Sequence, residues 1–147
     1  MQLTRQTDYA MRAVLYLATS PLASIRQIAE AQHVPQEYLA KILQKLARAG
    51  IVTTHRGVGG GVSLARVPEK ISMLDVIEAI EGKVALNRCF VRPLECPREK
   101  FCAMHDELDR IGASLASMFA KVNFARLARN EAAGTKPSFE PRNSGKK

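Results

Sequence analysis

Long apolar runs are absent from this 147-residue sequence, although 46% of its residues are hydrophobic. No stretch approaches the roughly 20 consecutive apolar residues that a membrane-spanning helix requires. The short apolar segment 13–18 contains Tyr16, which is typical of one side of an amphipathic helix and not of a signal peptide. We therefore expect a cytoplasmic protein that makes no membrane contact, with enough apolar residues for a folded core.

Sequence patterns typical of enzymes are missing as well. The chain has no paired carboxylates, no nucleophile motif and no intact cofactor fingerprint. The glycine-rich segment 57–61 resembles a phosphate-binding loop, but a strand-like segment follows it. A phosphate-binding loop requires the N-terminus of a helix at that place. An enzymatic function is therefore not expected.

Cysteine is scarce, and the chain's three cysteines, Cys89, Cys96 and Cys102, lie within fourteen residues of one another. The odd number argues against a simple disulfide framework, and the clustering argues against three unrelated buried thiols. Pro93 and Pro97 interrupt regular backbone hydrogen bonding in the same segment. The segment is therefore predicted to be an irregular loop that can bring thiolates around a metal centre.

A histidine, His105, follows Cys102 by three residues. If a helix begins near Cys102, the two side chains share one face of its first turn, and the helix N-terminus favours a thiolate. These residues predict a metal or iron–sulfur site. Three alternatives remain open: reduced thiols in a cytosolic loop, a closed zinc site of the three cysteines and His105, and a metal-free thiol switch. The cysteines are separated by six and five residues, which is wider than in most zinc sites.

Positive charge is concentrated in the N-terminal half of the chain. The formal net charge is +8, and residues 1–66 contain eight Lys and Arg against three Asp and Glu. Residues 67–103 are balanced, with six of each sign. This asymmetry indicates a polyanionic partner for the N-terminal half.

The N-terminal half shows the pattern of three helices followed by a β-hairpin. The first helix, capped by Thr4 or Thr7, ends near Ala18, and the others span residues 25–32 and 35–49. Strand-like segments 51–55 and 62–65 are joined by the glycine-rich turn. This order predicts a mainly α fold with a small β-hairpin, that is, a winged helix-turn-helix domain.

The third helix has an apolar side and a polar side, and its length suits the major groove of DNA. Arg56 stands at the hairpin tip, where it could enter a narrow minor groove. The candidate phosphate contacts are Lys41, Lys45 and Arg48, and the candidate base contacts are Glu37, Lys41 and Gln44.

A fourth helix is predicted from a cap at Ser72 to Glu81, and a long final helix is predicted over residues 104–130. Seven apolar residues of the final helix recur at alternating steps of four and three: Met104, Leu108, Ile111, Leu115, Met118, Val122 and Ala125. This spacing predicts a coiled-coil seam along a helix of about 40 Å, and hence a homodimer that binds a palindromic operator. Phe119 and Phe124 are expected to pack on the winged domain or the partner.

These patterns divide the chain into four parts. We expect a DNA-binding domain at 1–82, a cysteine-bearing loop at 83–103, a dimerisation helix at 104–130 and a disordered tail at 131–147.

Several segments resemble one known family. They are the N-terminal MQLTRQTDYAMR, EYLAKIL in the third helix, RGVGGGVSLAR in the hairpin and ISMLDVIEAIEG in the fourth helix, together with the three cysteines. Over residues 1–130 the chain resembles the Rrf2 family of bacterial winged-helix transcription regulators. The resemblance implies that the protein binds double-stranded DNA and regulates transcription.

The cysteines point to the subgroups that are similar to IscR and NsrR, which bind an iron–sulfur cluster whose state controls DNA binding. The resemblance implies that Cys89, Cys96 and Cys102 bind the cluster. In IscR-like members a histidine at the place of His105 completes a 2Fe–2S site. In NsrR-like members an aspartate of the partner subunit, at the place of Asp8, completes a 4Fe–4S site. Both residues are present, and the six residues between Cys89 and Cys96 depart from the five of IscR, so 2Fe–2S and 4Fe–4S both remain open.

Overall fold

A computed structural model of the protein describes residues 2–134. These residues form seven α-helices, two strands and two 3-10 turns. The helices are α1 (Arg5–Thr19), α2 (Ile25–Gln32), α3 (Gln36–Arg48), α4 (Met73–Glu81), α5 (Arg88–Val91), α6 (Ala103–Ala120) and α7 (Phe124–Ala132). The strands are β1 (Val52–His55) and β2 (Gly61–Leu64). Within these residues, no helix is both long enough and apolar enough to cross a bilayer.

Helices α1, α2 and α4 begin at the capping residues that the sequence predicts. The Thr4 hydroxyl accepts a hydrogen bond from the Thr7 backbone N–H at 3.3 Å. Capping boxes begin α2 at Ser24 and α4 at Ser72, because each serine and the residue three positions later exchange hydrogen bonds. Pro35 immediately precedes α3 instead of being its first residue. These ends depend on neighbours in sequence, so the sequence predicts them well.

The two strands form the antiparallel hairpin, with Val52 opposite Leu64 and His55 opposite Gly61. Ala23, between α1 and α2, extends this sheet through two backbone hydrogen bonds with Val62, of 3.1 and 2.7 Å. A Cβ atom at Gly61 would lie 2.6 Å from the Ala23 carbonyl oxygen, which leaves no space for a side chain. The hairpin is thereby attached to the segment that leads into α2.

The core lies between α1, α2, α3, α4 and α7, with the hairpin closing one side. Its largest fully buried side chains are Phe124, Ile28, Leu39, Ile42, Leu43, Leu46, Ile51, Ile71 and Ile77. The predicted apolar side of the third helix is therefore its buried side.

The prediction of one continuous final helix is wrong. α6 ends at Ala120, and after a bend Asn123 caps α7 by accepting a hydrogen bond from the Arg126 N–H at 2.8 Å. The bend pairs with the segment before α4, since Met73 donates to the Val122 carbonyl (2.8 Å) and Phe124 donates to the Ile71 carbonyl (3.0 Å). Burial of the Phe124 ring adds to these bonds, because a buried aromatic side chain contributes several kcal/mol. With 18 residues, α6 is about 27 Å long and not 40 Å.

The break also changes the predicted seam. Val122 lies in the bend, and Ala125 is buried in the core. Leu108 faces its own chain, because it lines a cleft of about 260 Å³ between α4, α6 and residues 83–90. An exposed apolar stripe remains along α6, with Met104 65% exposed, Ile111 53% and Met118 65%. The predicted tail at 131–147 lies mostly outside the described residues, although Glu131 and Ala132 belong to α7.

Candidate DNA-contacting surface and cysteine segment

The polar side of α3 is turned to solvent as predicted. Glu37, Lys41, Gln44 and Arg48 are all exposed, and they lie along the side opposite the buried leucines. The left-handed conformation of His33 ends α2, and the buried Val34 then directs the chain into α3. Because α3 is packed on the core through four buried residues, its exposed side is held in a fixed orientation.

Lys45 is placed differently from the other candidate phosphate contacts. It is partly buried, and its ammonium group donates a hydrogen bond to the Gln6 side-chain oxygen at 3.0 Å. This bond joins α3 to α1 across the domain. An ammonium group has two further donors, but its position favours a structural role for Lys45.

Tyr38 is a further surface residue of α3, outside the predicted set of DNA contacts. It is 39% exposed, and its ring meets the Tyr9 ring of α1 edge-on, with centroids 5.8 Å apart. The Arg12 guanidinium lies 5.9 Å from the Tyr9 ring centroid. Tyr38 stands three residues before Lys41, so its helical spacing could have placed it on the exposed side.

The hairpin tip consists of residues 56–60, and both Arg56 and Val58 are exposed there. Gly57 and Gly59 have positive φ angles of 93° and 75°, a conformation that favours glycine. At the base of the tip, His55 Nε2 lies 2.8 Å from the Ser63 hydroxyl across the hairpin. The predicted position of Arg56 at the tip is confirmed in this structure.

The cysteine segment contains more regular structure than predicted, with α5 and a 3-10 turn at Glu99–Phe101. All three cysteines are free thiols; Cys89 and Cys102 are half-buried and Cys96 is exposed. Cys102 is the N-cap residue of α6, and its carbonyl accepts a hydrogen bond from the His105 N–H at 3.0 Å. The predicted placement of these two residues on the first turn of a helix is therefore found.

His105 connects that first turn to α5. Its ring packs against the Phe90 ring, with centroids 4.6 Å apart, and Phe90 is the neighbour of Cys89 in sequence. The Nδ1 atom of His105 is buried and has no hydrogen-bond partner among residues 2–134. A buried nitrogen without a partner costs free energy unless a ligand or another group satisfies it.

The candidate metal ligands are not gathered into one set in this structure. Among residues 2–134, no three Cys, His, Asp or Glu side chains stand close enough together to bind one metal ion. Asp8 lies on α1, half-exposed, and its carboxylate forms an ion pair with Arg12 at 2.8 Å. The donor set itself fits an iron–sulfur cluster, since three free thiols and an unpartnered imidazole nitrogen are the ligand types that such clusters use.

Comparison with known proteins places the chain among transcriptional regulators. The sequence profile of the Rrf2 family, described as "Iron-dependent Transcriptional regulator", matches residues 3–130. Protein aau3 of Rhizobium meliloti (strain 1021) is 40% identical over 111 residues, which cover 74% of this chain and 72% of that protein. The HTH-type transcriptional regulator NsrR of Bacillus subtilis (strain 168) is 30% identical over 135 residues, 89% of this chain and 92% of NsrR.

Solved structures share the fold. IscR of T. potens superposes with a TM-score of 0.73 at 22% identity, covering 95% of this chain and 94% of IscR. CymR of B. subtilis superposes with a TM-score of 0.72 at 23% identity, covering 88% of this chain and 97% of CymR. These likenesses confirm the winged-helix fold. The family match and the curated relatives show more: the chain belongs to the Rrf2 family of transcriptional regulators and is not an enzyme.

Proposed function

We propose that this Rrf2-family regulator binds a palindromic operator as a homodimer and that an iron–sulfur cluster, bound by Cys89, Cys96 and Cys102, controls the binding. The observation that carries the proposal is the cysteine segment itself. All cysteines of the chain lie between the fourth helix and the first turn of α6, and the buried Nδ1 atom of His105, three residues after Cys102, has no hydrogen-bond partner among residues 2–134. Relatives named NsrR, and a structural neighbour named IscR, support a sensor of this kind.

The three thiols would bind the cluster as thiolates, and Cys102 would bind it from the N-cap position of α6. When bound, an iron–sulfur cluster supplies a redox centre whose potential depends on its ligands and their hydrogen bonds. Ligation would also require the exposed Cys96 to move towards the other ligands, because these side chains are not gathered in this structure.

His105 is the better supported candidate for the fourth ligand. Its buried Nδ1 lacks a partner within the described part of the chain, whereas the Asp8 carboxylate already forms an ion pair with Arg12. His105 also needs no contribution from a second subunit. Asp8 would have to leave Arg12 and reach the cluster of the partner chain. By resemblance to the two subgroups, ligation by His105 implies a 2Fe–2S cluster, whereas ligation by Asp8 from the second chain implies a 4Fe–4S cluster.

The DNA-contacting surface consists of α3 and the hairpin. Lys41 and Arg48 are exposed cations on α3 for phosphate contacts, and Glu37 and Gln44 are exposed polar groups for base edges. Arg56 projects from the hairpin tip, where it can reach an adjacent minor groove.

The exposed apolar stripe of α6 supports a homodimer. Met104, Ile111 and Met118 recur every seven residues, which places them on one side of the helix, with Leu115 beside them. A second copy is the natural cover for this stripe, because a two-fold axis brings the same surface from both chains together. Two α3 helices would then be related by that axis, as a palindromic operator requires.

Anaerobic purification tests the proposal. The protein should be coloured by thiolate-to-iron charge transfer, and it should contain both iron and acid-labile sulfide. Replacing any one of Cys89, Cys96 and Cys102 by Ala should remove or destabilise the cluster. Ser117→Cys adds a thiol on α6 outside the segment and should leave the iron content unchanged.

Two other results would each show that the protein is regulated in a different way. Colourless protein with one zinc per chain would establish a zinc site in place of the cluster. Metal-free protein whose cysteines oxidise reversibly, with a parallel change in operator affinity, would establish a thiol switch.

A further inference from the structure

Val58, at the tip of the hairpin, is an apolar residue in an unusual position. Its relative exposure of 110% is higher than that of any other large hydrophobic side chain in the described part of the chain. Turns favour Gly, Asn, Asp, Ser and Pro, and a β-branched apolar residue stabilises nothing in this one. A residue type that is unfavourable in its local structure, and that no other contact stabilises, is expected mainly at functional positions.

The glycines around Val58 make the tip narrow and define its backbone. Gly57 and Gly59 flank it with φ angles of 93° and 75°. A Cβ atom at Gly60 would lie 2.4 Å from the His55 carbonyl oxygen, so a side chain cannot be accommodated there without a shift of the backbone. Between residues 56 and 61, side chains therefore project only from Arg56 and Val58.

The tip is also held relative to the helices that precede it. Ala23 and Val62 exchange two backbone hydrogen bonds, and Gly61 packs directly on the Ala23 carbonyl. Ala23 immediately precedes Ser24, which caps α2. The position of Val58 is thus coupled to the helix-turn-helix, and DNA contact by α3 would bring the tip to a defined place on the duplex.

The charge around the tip suits a nucleic acid. Residues 51–66 contain Arg56 and Arg66 and no Asp or Glu. The narrow hairpin tip, with glycines on both sides of Val58, fits the minor groove, which is only about 6 Å wide. In this groove A·T pairs present hydrogen-bond acceptors alone, whereas G·C pairs add the 2-amino donor of guanine.

We infer that Val58 is a specificity-determining residue that enters the minor groove of the operator and selects against base pairs carrying a 2-amino group. The Val58 methyl groups cannot accept a hydrogen bond, so an amino group beneath them would lose its water without gaining a partner. Arg56 responds to a different property, the negative potential of a narrow groove. The inference rests on the proposed function, because it requires the hairpin to contact DNA.

The test uses the full-length protein and an operator that it selects from random DNA. Base pairs are replaced one at a time by inosine·C, which lacks the 2-amino group of G·C, or by 2,6-diaminopurine·T, which adds one to A·T. Their major-groove edges keep the hydrogen-bonding pattern of G·C and A·T, respectively. Under the hairpin, wild-type protein should bind A·T and inosine·C about tenfold more tightly than G·C and diaminopurine·T.

Variants at the tip separate the two side chains. Val58→Ala should keep the affinity for A·T and lose most of the discrimination, because the smaller side chain leaves space for water. Val58→Asn offers an acceptor to the amino group and should favour G·C and diaminopurine·T. Arg56→Ala should weaken binding to all of these operators and retain the discrimination. Val67→Ala removes another exposed valine and should behave as wild type.

Each failure has a distinct signature. Equal affinity of the wild-type protein for diaminopurine·T and A·T at every position would overturn the role of Val58 while leaving DNA binding intact. Discrimination that persists in Val58→Ala and Val58→Asn would do the same. Failure to select any operator would overturn the proposed function together with this inference.

Discussion

The Glu81 carboxylate at the end of α4 accepts a hydrogen bond from the hydroxyl group of Thr7, a fully buried residue near the start of α1. The same carboxylate oxygen accepts from the backbone N–H and the hydroxyl of Thr4, at 2.9 and 3.0 Å. Gly82 then ends the helix, and the cysteine segment follows. The first helix is therefore attached at the point where the cysteine segment begins.

Glu81→Gln should lower the free energy of unfolding by roughly 1 kcal/mol at pH 7, because hydrogen bonds to a charged acceptor are stronger than those to a neutral one. Partial burial alone would raise the pKa of Glu81, but the bonds from Thr7 and Thr4 hold it below its ordinary value of 4.5. A depressed folded-state pKa adds stability above the unfolded pKa, and this stability is lost as the pH falls through the folded value. Urea unfolding should thus show wild type and variant converging below about pH 4.5. Glu78→Gln, on the exposed side of the same helix, should show no such pH dependence. If the stability of this variant also approached that of wild type only at low pH, the effect could not be assigned to the hydrogen bonds of Glu81.

Arg48→Ala should weaken binding to all DNA sequences alike, because Arg48 is an exposed phosphate-contact candidate. In a dimer, the slope of log K against log salt should fall by about 2. Lys45→Ala should change this slope less and lower stability more, because the Lys45 ammonium group bonds to Gln6. Fluorescence anisotropy at several salt concentrations measures the slopes, with Arg110→Ala on α6 as the charge-matched control. Equal slope changes for Lys45 and Arg48 would show that Lys45 leaves Gln6 on the DNA.

Substitutions at His105 and Asp8 should identify the fourth cluster ligand. His105→Phe retains an aromatic ring beside Phe90 but removes the nitrogen, so it should lose the cluster without a packing defect. His105→Cys supplies a thiolate at the same place and should restore iron and sulfide. Asp8→Ala should cost little stability, because an exposed ion pair contributes only about 0–1 kcal/mol. Loss of the cluster in Asp8→Ala, with retention in His105→Phe, would establish the cross-subunit arrangement instead.

The proposed homodimer depends on the exposed stripe of α6. Ile111→Asp should shift the protein to monomers and abolish operator binding, because a charge buried in the interface without a partner costs several kcal/mol. The chain itself should remain folded, since Ile111 is 53% exposed in one protomer. Leu115→Asp should have the same effect on association. Light scattering at micromolar concentration measures the mass, and Ser117→Asp on the polar side of α6 is the control. A monomeric wild-type protein, or a dimeric Ile111→Asp protein, would contradict the proposal.

Phe124→Ala should lower the free energy of unfolding by about 3–5 kcal/mol, because removal of the fully buried ring would leave a cavity where α7 packs on the core. Phe101→Ala removes a ring that is 86% exposed and should change stability by less than about 0.5 kcal/mol. Thermal or urea unfolding of the cluster-free proteins compares them. Similar values for both variants would mean that α7 does not form part of the core.

The N-terminal half was predictable because its signals act over short distances along the chain. The capping serines Ser24 and Ser72 bond to residues three positions away, and Gly50 has a positive φ just past α3. The apolar spacing within α3 identified its buried side without knowledge of what covers it. The candidate metal ligands could also be named from the sequence, because thiol, imidazole and carboxylate groups are properties of the residues themselves.

The end of the last long helix could not be predicted from apolar spacing, because that spacing continues through the bend. Asn123 is a local signal for the start of a new helix, but seven regularly spaced apolar residues outweigh it. The bend forms because residues 71–73 supply hydrogen-bond partners for residues 122–124, some fifty positions away.

The sequence alone therefore determined the order of the first four helices and the two strands, the exposed polar side of α3, the position of Arg56 and the grouping of the three cysteines in one segment. Only the tertiary structure decided that Phe124 and α7 belong to the core, that Lys45 bonds to Gln6 and that Glu81 joins Thr7. Caps, turns and periodicity involve neighbours within one or two turns, so they are present in any short segment. Contacts between distant residues exist only when the whole chain packs, because the burial that stabilises them comes from several elements at once.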